Sequence, residues 1–215
     1  MPLFPPAPLN EARCQRYGWL VLLLLTALLY LPGTAVLPLM DRDEPRFAHA
    51  TVEMIQRGSW AVPYFNGEYR FDKPPLTYWW MALHYKLLGV SEFSARIHTV
   101  LAVWLVALVT GSIGKRVHSA RAGLLAGAAW IVTLQVIVHG RLCVADMPLV
   151  LCVTLAFRAL LEVMQEGSRG FQRWHWLLYG SLGLGFLAKG PLALLVPGVA
   201  LLLMRFAFWR KPLRW

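Results

Sequence analysis

Residues 19–40 constrain the fold most, because they run for about 22 residues without a charged side chain. At 1.5 Å per residue, a helix of that length crosses a hydrocarbon layer of roughly 30 Å. The whole chain is 58% hydrophobic and 15% charged, with a mean hydropathy of +0.52. A soluble domain of 215 residues could not bury that much apolar surface. The sequence therefore predicts an all-α integral membrane protein.

Further apolar segments predict a polytopic bundle of about six transmembrane helices over residues 19–208. A cleavable signal peptide is the alternative for the first segment, with Gly33 to Ala35 imitating a processing site. Apolar residues continue to Met40, which favours an uncleaved anchor. The remaining segments lie at about residues 93–113, 122–138, 147–163, 174–188 and 191–208.

The formal net charge of +10 comes from basic clusters between alternate apolar segments. The positive-inside rule and anionic lipids explain such clusters, so no nucleic-acid partner is expected. They place residues 1–18 and 209–215 in the cytoplasm and the loop of residues 41–92 on the opposite, periplasmic side. The clusters consist of Arg13, Arg16, Lys115, Arg116, Arg121, Arg158, Arg169, Arg173, Arg205, Arg210, Lys211 and Arg214.

The loop of residues 41–92 is the polar part of the chain, with six of the 11 acidic residues between positions 41 and 75. Its pattern predicts two amphipathic juxtamembrane helices with a short hairpin between them. The end signals are Asp43 with Pro45 and Gly58 for the first helix, Asn66-Gly67 for the hairpin, and Pro74-Pro75 and Gly89 for the second helix.

Asp43 is the first candidate for chemistry, together with its neighbours Glu44 and Arg46. One interpretation makes Asp43 a helix N-cap beside a solvated charge pair. The other makes the carboxylate a general base or orienting group, poised by a nearby cation. Asp41 and Asp43 also form a DxD pattern, which is too short to establish a metal site.

Asp72 and Lys73 precede the second helix of this loop. They form either an ordinary charge pair at a helix start or a phosphate site in which Lys73 acts as a point charge. The exposed N–H groups at a helix N-terminus favour an anion at the same place. Phosphate binding is therefore the preferred interpretation.

Asp146 is the sole acidic residue between positions 93 and 161, and Arg141 is close by in sequence. An acid beside a membrane segment is either a structural ion pair or a functional group. Lys189 interrupts a long apolar stretch on the side that the charge rule disfavours, so a ligand-facing role is predicted. The spacing of the three cysteines and six histidines does not indicate a zinc site.

Five stretches in order resemble the C-type membrane glycosyltransferases of the protein O-mannosyltransferase superfamily. The nearest resemblance is to bacterial enzymes that move 4-amino-4-deoxy-L-arabinose from undecaprenyl phosphate to lipid A. The stretches are DEPRFAHATVEMIQRGSWAVP, FDKPPLTYWW, SEFSARI, ADMP and LAKGPLALLVPG. The resemblance implies a transferase that uses a polyprenyl phosphate-linked sugar as its donor and lipid A or another envelope glycan or protein as its acceptor.

By the same resemblance, Asp43 matches the catalytic carboxylate, adjoined by Glu44 and Arg46, and Lys73 matches the contact to the lipid phosphate. Asp146 and Lys189 match further cavity residues. Asp72 stands where aminoarabinose transferases carry Glu, a metal-ligand position of the family. A divalent metal and a metal-free site both stay open, and no other cofactor is expected.

Members of this family usually have about twice as many spans and a further outer domain, so the chain is expected to be an N-terminal part. Protein O-mannosylation is the alternative within the same class of enzyme. A membrane transporter, with Asp146 and Lys189 lining a pathway, or a non-catalytic membrane subunit is the alternative from another class. That hypothesis predicts charges at mid-span, whereas these charges collect at one face.

Overall fold

The computed structural model describes residues 11–40, 42–164 and 171–207 and is almost entirely helical there. A single two-stranded sheet lies between the second and third helices of that part of the chain. The elements are α1 (Glu11–Tyr30), α2 (Asp43–Arg57), β1 (Tyr64–Phe65), β2 (Glu68–Tyr69), α3 (Leu76–Leu88), α4 (Glu92–Val117), α5 (Ala120–Val132), α6 (Leu134–His139), α7 (Asp146–Val163), α8 (Phe171–Lys189) and α9 (Leu192–Ala207).

The first polar loop contains two helices, α2 and α3, with the hairpin of β1 and β2 between them. Gly58 ends α2 in the left-handed conformation at φ 67°, where glycine carries no steric penalty. Asn66 and Gly67 have φ values of 53° and 82°, the positive values that a tight hairpin turn requires. The turn pairs Tyr64 with Tyr69 in antiparallel register, and α3 follows Pro75 and ends before Gly89.

The membrane segments differ in detail from the prediction. Among the described helices, α4 alone is both long enough and apolar enough to cross a membrane. α1 begins at Glu11 and ends at Tyr30, so residues 31–40 form turns rather than helix. The predicted segment 122–138 is broken at Thr133, whose extended backbone separates α5 from α6. The count of about six spans stays a prediction.

Several helices nevertheless present large apolar side chains outward. Leu28 in α1 is 70% exposed, and Leu203 and Phe206 in α9 are 63% and 84% exposed. Soluble monomers rarely expose continuous apolar faces of this kind, whereas lipid tails solvate them well. The exposed leucines therefore support the membrane-protein class.

Two of the three buried clusters in the described residues join the helices around the candidate site. One packs α1, α4 and α5 together through Leu22, Val103 and Ile131. Here α4 and α5 approach at Gly123, where an added Cβ atom would lie 2.3 Å from the carbonyl oxygen of Gly111. The other cluster joins Phe47 of α2 and Tyr78 of α3 to residues 143–145, directly before α7. This second cluster supports the candidate residues of the loop of residues 41–92.

Candidate functional site

Glu44 and Arg96 form a buried, two-pronged ion pair between the start of α2 and the start of α4. Nε and Nη2 of Arg96 each lie 2.9 Å from a different carboxylate oxygen of Glu44. The side chain of Glu44 is 0% exposed and that of Arg96 is 4% exposed. A planar guanidinium matches both oxygens of a carboxylate, which gives this pair a fixed geometry as well as a strong attraction.

The same pair ties down two loops. The backbone N–H groups of Met40 and Cys143 donate to Glu44 at 2.8 and 3.0 Å. Arg96 donates to the carbonyl oxygens of Thr34, Leu37 and Pro38 at 3.2, 2.7 and 2.8 Å. Residues 34–40 and the segment before α7 are therefore held against the start of α2.

Glu44 was expected beside Asp43 at the reaction centre, but the structure encloses it within the protein. Burial alone would raise the pKa of its carboxyl group. Hydrogen bonds from Arg96, Cys143 and Met40 outweigh burial and hold the pKa below its ordinary value. Glu44 is therefore an ionised carboxylate with both oxygens already engaged, which suits positioning rather than contact with a substrate.

Asp43 has the opposite environment, because its side chain is exposed at the first residue of α2. The helix starts one residue earlier than the N-cap interpretation expected. Arg42 occupies the cap position with helical backbone angles and makes no side-chain capping bond. A carboxylate in the first turn still interacts favourably with the positive end of the helix dipole. Asp41, the other half of the DxD pattern, lies outside the described residues.

Arg70 and Tyr78 connect α2 to the segment that carries Asp72 and Lys73. Arg70 is buried and donates from Nε to the Tyr78 hydroxyl oxygen at 3.0 Å. Its Nη2 lies 3.4 Å from Oδ2 of Asp72. The ring of Tyr78 stacks on Phe47, one turn beyond Asp43, with ring centroids 5.1 Å apart.

The pKa of the Tyr78 hydroxyl group also depends on the charges of both candidate carboxylates. Its pKa is raised, chiefly by burial, and the hydrogen bond and positive charge of Arg70 oppose that effect. The negative charges of Asp72 and Asp43 raise the pKa further. Asp43 and Asp72 are 29 positions apart in the sequence, yet both charges act on the hydroxyl group of this tyrosine.

Arg46, the neighbour of Asp43, and Lys73, the cation predicted to contact the lipid phosphate, are both half-buried. Within the described part of the chain, neither forms an ion pair with a carboxylate. Asp72 pairs with Arg70 rather than with its neighbour Lys73. The charge of Lys73 is thus not neutralised by the acid beside it in the sequence, which suits a site for an anion.

Asp146 and Lys189 meet in the structure, although 43 positions separate them in the sequence. Nζ of Lys189 lies 2.6 Å from Oδ1 of Asp146, and the side chains are 25% and 35% exposed. Asp146 is the first residue of α7 and Lys189 is the last residue of α8. The pair therefore joins two helix ends and stays partly accessible beside the cluster of Phe47, Tyr78 and Ala145.

Arg141 occupies a separate position beside the Glu44–Arg96 pair. It donates from Nη2 to the carbonyl oxygen of Leu29, whereas its Nε is buried without a partner. With Glu44 and Arg96 it lines an open pocket of about 530 Å³ whose other walls are mostly apolar. Arg141 therefore shares a pocket with Glu44 and does not pair with Asp146, which is close to it in sequence.

The residues at the implied metal position do not fit a metal in the described part of the chain. Asp72 forms an ion pair with the guanidinium of Arg70, and a neighbouring cation competes with a metal for the same oxygen atoms. Across residues 11–40, 42–164 and 171–207, no three His, Cys, Asp or Glu side chains gather as a ligand set. No step is therefore assigned to a metal.

Three residues of this site were not predicted as functional residues: Arg96, Arg70 and Tyr78. Arg96 carried a usable signal, because it is a lone positive charge in the first turns of an apolar helix, and such charges are costly without a partner. Arg70 follows the hairpin and Tyr78 follows the double proline. No local pattern in the sequence distinguishes either residue from surface residues. Their pairing appears only when α2 and α3 pack together.

The arrangement suits chemistry on a phosphate-bearing ligand. Asp43 is an exposed carboxylate three residues before Arg46, and its charge acts on Tyr78, the hydrogen-bond partner of Arg70. Arg70 is already paired with Asp72, whereas Arg46 and Lys73 form no ion pair with a described carboxylate. Cations around a leaving phosphate stabilise the charge that develops on it, most strongly where water is partly excluded. The Glu44–Arg96 pair holds the helix that presents Asp43, so its position is fixed before a ligand arrives.

Known proteins share this sequence and fold. Residues 72–215 match the family described as dolichyl-phosphate-mannose-protein mannosyltransferase. The chain is 31% identical to a Pseudomonas aeruginosa protein named undecaprenyl phosphate-alpha-4-amino-4-deoxy-L-arabinose arabinosyl transferase, over 94% of this chain and 36% of the relative. An uncharacterised Aquifex aeolicus protein is also 31% identical, over 89% of this chain and 42% of that protein.

Solved structures agree on the fold. The crystal structure of ArnT from Cupriavidus metallidurans bound to undecaprenyl phosphate matches with a TM-score of 0.82 at 24% identity, over 88% of this chain and 36% of that protein. The apo structure of the same protein also gives a TM-score of 0.82. The chain thus spans between a third and a half of the length of these proteins. On its match over residues 72–215, the chain belongs to the dolichyl-phosphate-mannose-protein mannosyltransferase family.

Proposed function

We propose that the protein is a glycosyltransferase that moves a sugar from a polyprenyl phosphate donor to an acceptor in the bacterial envelope, with lipid A as the acceptor. The observation that carries the proposal is the environment of Asp43. It is an exposed carboxylate on a helix start that the buried Glu44–Arg96 pair immobilises, three residues before Arg46, which forms no ion pair with a described carboxylate. Family membership and the names of the relatives support the same class of reaction.

In the proposed reaction, an acceptor oxygen attacks the anomeric carbon while the bond from that carbon to the phosphate oxygen breaks. The electron pair of the broken bond leaves with the polyprenyl phosphate. Lys73 and Arg46 stabilise the phosphate charge as it develops. A single carboxylate suffices for such an inverting displacement, because no covalent sugar intermediate needs to form.

The task of Asp43 depends on the acceptor. A phosphate of lipid A has a second pKa near 6, so it is largely ionised at neutral pH and Asp43 need only orient it. A hydroxyl acceptor loses its proton during the attack, and Asp43 would receive that proton as a general base. Lys189 and Asp146 are proposed to line the same cavity, with their ion pair fixing the distance between α7 and α8.

The proposed location is the bacterial inner membrane, with several spans and with the loop of residues 41–92 in the periplasm. The distribution of basic residues supports this orientation. Undecaprenyl phosphate, the ligand of the crystallised relative, is the donor carrier proposed here.

Protein O-mannosylation is the second candidate, because the matched family is described by that activity. A strain that lacks the protein distinguishes the two. Mass spectrometry of its lipid A should show the loss of one sugar substituent, restored by the wild-type gene. Unchanged lipid A together with loss of hexose from periplasmic proteins would favour the second candidate.

A further inference from the structure

A groove of about 550 Å³ lies at the other end of the helices from Asp43. The carboxylate of Glu11 accepts from the backbone N–H of Ala120 at 2.9 Å, which places the start of α1 beside the start of α5. The last turns of α4 complete the walls. Lys115, at the mouth of the groove, is 19 residues beyond Arg96, or about 28 Å along the helix axis. The groove is therefore separate from the candidate transferase site.

The inner part of the groove is apolar and narrow. Leu22, Leu108 and Leu124 line it. Glycines at positions 18, 111 and 123 add no side chains to its lining. These features give a slot of the kind that one hydrocarbon chain fills.

The mouth of the groove is polar and positively charged. Lys115 and Gln15 lie there with Trp19, which is 53% exposed and whose ring type favours the membrane interface. Lys115 is exposed and makes no ion pair with any described carboxylate. The nearby acid, Glu11, already accepts from the backbone N–H groups of Ala120 and Arg121 at 2.9 and 3.3 Å. Its carboxylate therefore satisfies the start of α5.

A second basic group adjoins the groove through Ser112. The Ser112 hydroxyl accepts from Nε of Arg158 at 3.2 Å. Arg158 and Arg116 both donate to Oε1 of Glu162, at 2.8 and 2.9 Å. Two guanidinium groups thus share one carboxylate oxygen behind the groove wall.

We propose that this groove binds one anionic phospholipid, with its headgroup phosphate at Lys115 and one acyl chain between α1, α4 and α5. The leucine-lined inner part favours a ligand with a hydrocarbon chain over free phosphate. The positive mouth favours an anionic headgroup over a zwitterionic one, as basic pockets between membrane helices do. Trp19 at the rim fits the level of the headgroups.

The test uses the full chain in nanodiscs that contain phosphatidylcholine and phosphatidylglycerol in equal amounts. Native mass spectrometry then counts the lipid molecules that remain bound after release. Wild-type protein should retain one phosphatidylglycerol in preference to phosphatidylcholine. Lys115→Gln should weaken that preference about fivefold, the change expected for one lysine near the membrane surface.

Two further variants separate the groove from general surface charge. Arg13→Gln removes a positive charge from the same end of the molecule without changing the groove lining, and it should keep the preference. Gly18→Leu adds a side chain beside Leu124, where a Cβ atom at position 18 would lie 3.7 Å from Cδ1, and it should lower retention of both lipids. Equal retention of the two lipids by wild type, equal loss in Lys115→Gln and Arg13→Gln, or no retained lipid at all would overturn the proposal.

Discussion

Glu44 and Arg96 are 52 positions apart in the sequence, yet their side chains form two hydrogen bonds of 2.9 Å each inside the protein. The pair holds the start of α2 against the start of α4, and the residue just before Glu44 is the exposed Asp43. One buried ion pair thus fixes the place from which the proposed catalytic carboxylate projects.

Replacing one member of this pair should destabilise the protein strongly. Arg96→Met leaves the Glu44 carboxylate buried without a counter-ion, and such losses cost about 3–5 kcal/mol of unfolding free energy. The double variant Glu44→Gln/Arg96→Met buries no charge and should recover part of that loss. The free energies of unfolding of the wild type, the single variant and the double variant are measured in mixed detergent micelles.

The matched control for that comparison is Arg57→Gln. Arg57 also pairs with a glutamate, Glu53, at 3.3 Å, but its side chain is 46% exposed. Exposed pairs contribute at most about 1 kcal/mol. Equal losses of unfolding free energy in Arg96→Met and Arg57→Gln would show that the buried Glu44–Arg96 pair stabilises the protein no more than an exposed pair does.

The same pair predicts a loss of stability in acid. The pKa of Glu44 is lower in the folded protein than its ordinary value of 4.5, so the folded state binds fewer protons than the unfolded state. Its contribution to stability is therefore full above pH 4.5 and disappears as the pH falls through the folded-state pKa. Melting temperatures of wild type should drop in this range, and those of Glu44→Gln/Arg96→Met should drop less. If the melting temperatures of the two proteins fall equally as the pH falls, Glu44 is not the source of the loss of stability.

The Asp146–Lys189 pair should show direct coupling. A double-mutant cycle with Asp146→Asn and Lys189→Gln should give a coupling energy of about 1–3 kcal/mol in unfolding measurements, the range for hydrogen bonds between charged groups. The reason is the 2.6 Å contact between partly buried atoms. If the two single effects simply add, the residues act independently.

Lys73 should affect donor binding through its charge. In the full-length enzyme, Lys73→Ala should reduce kcat/KM for the polyprenyl phosphate donor about 10- to 100-fold, equivalent to losing one charged hydrogen bond of about 1.5–3 kcal/mol. Lys73→Arg keeps the charge and should retain more activity. Lys86→Ala is the control, because Lys86 stacks over Trp60, with Nζ 4.4 Å from the ring centroid. Equal activities of Lys73→Ala and Lys86→Ala would remove Lys73 from the phosphate site.

Local signals predicted the parts of the fold that depend on few residues. The turn at Asn66-Gly67 and the helix end at Gly58 follow from backbone angles that glycine and asparagine adopt easily, and both are confirmed. The break at Thr133 was not predicted, because an apolar run on each side of it looks continuous in the sequence. No proline or glycine stands at that position, and the Thr133 hydroxyl donates to the carbonyl oxygen of Ala129 at 2.8 Å.

The candidate site shows the same division. Asp146 and Lys189 each stood out as isolated charges beside apolar segments, but only the folded chain brings them together. Glu44 was grouped with Asp43 because the two are adjacent in sequence. Adjacent helix residues point in different directions, and in α2 this places Glu44 inside the protein and Asp43 outside it.

The most direct measurement of the central claim compares the full-length wild type with Asp43→Asn at equal expression, using mass spectrometry of lipid A. The substitution keeps the shape of the side chain and removes the charge that orients or deprotonates the acceptor. We expect lipid A from the Asp43→Asn strain to lack the added sugar, as in a deletion strain. Transfer at the wild-type level by Asp43→Asn would contradict the account.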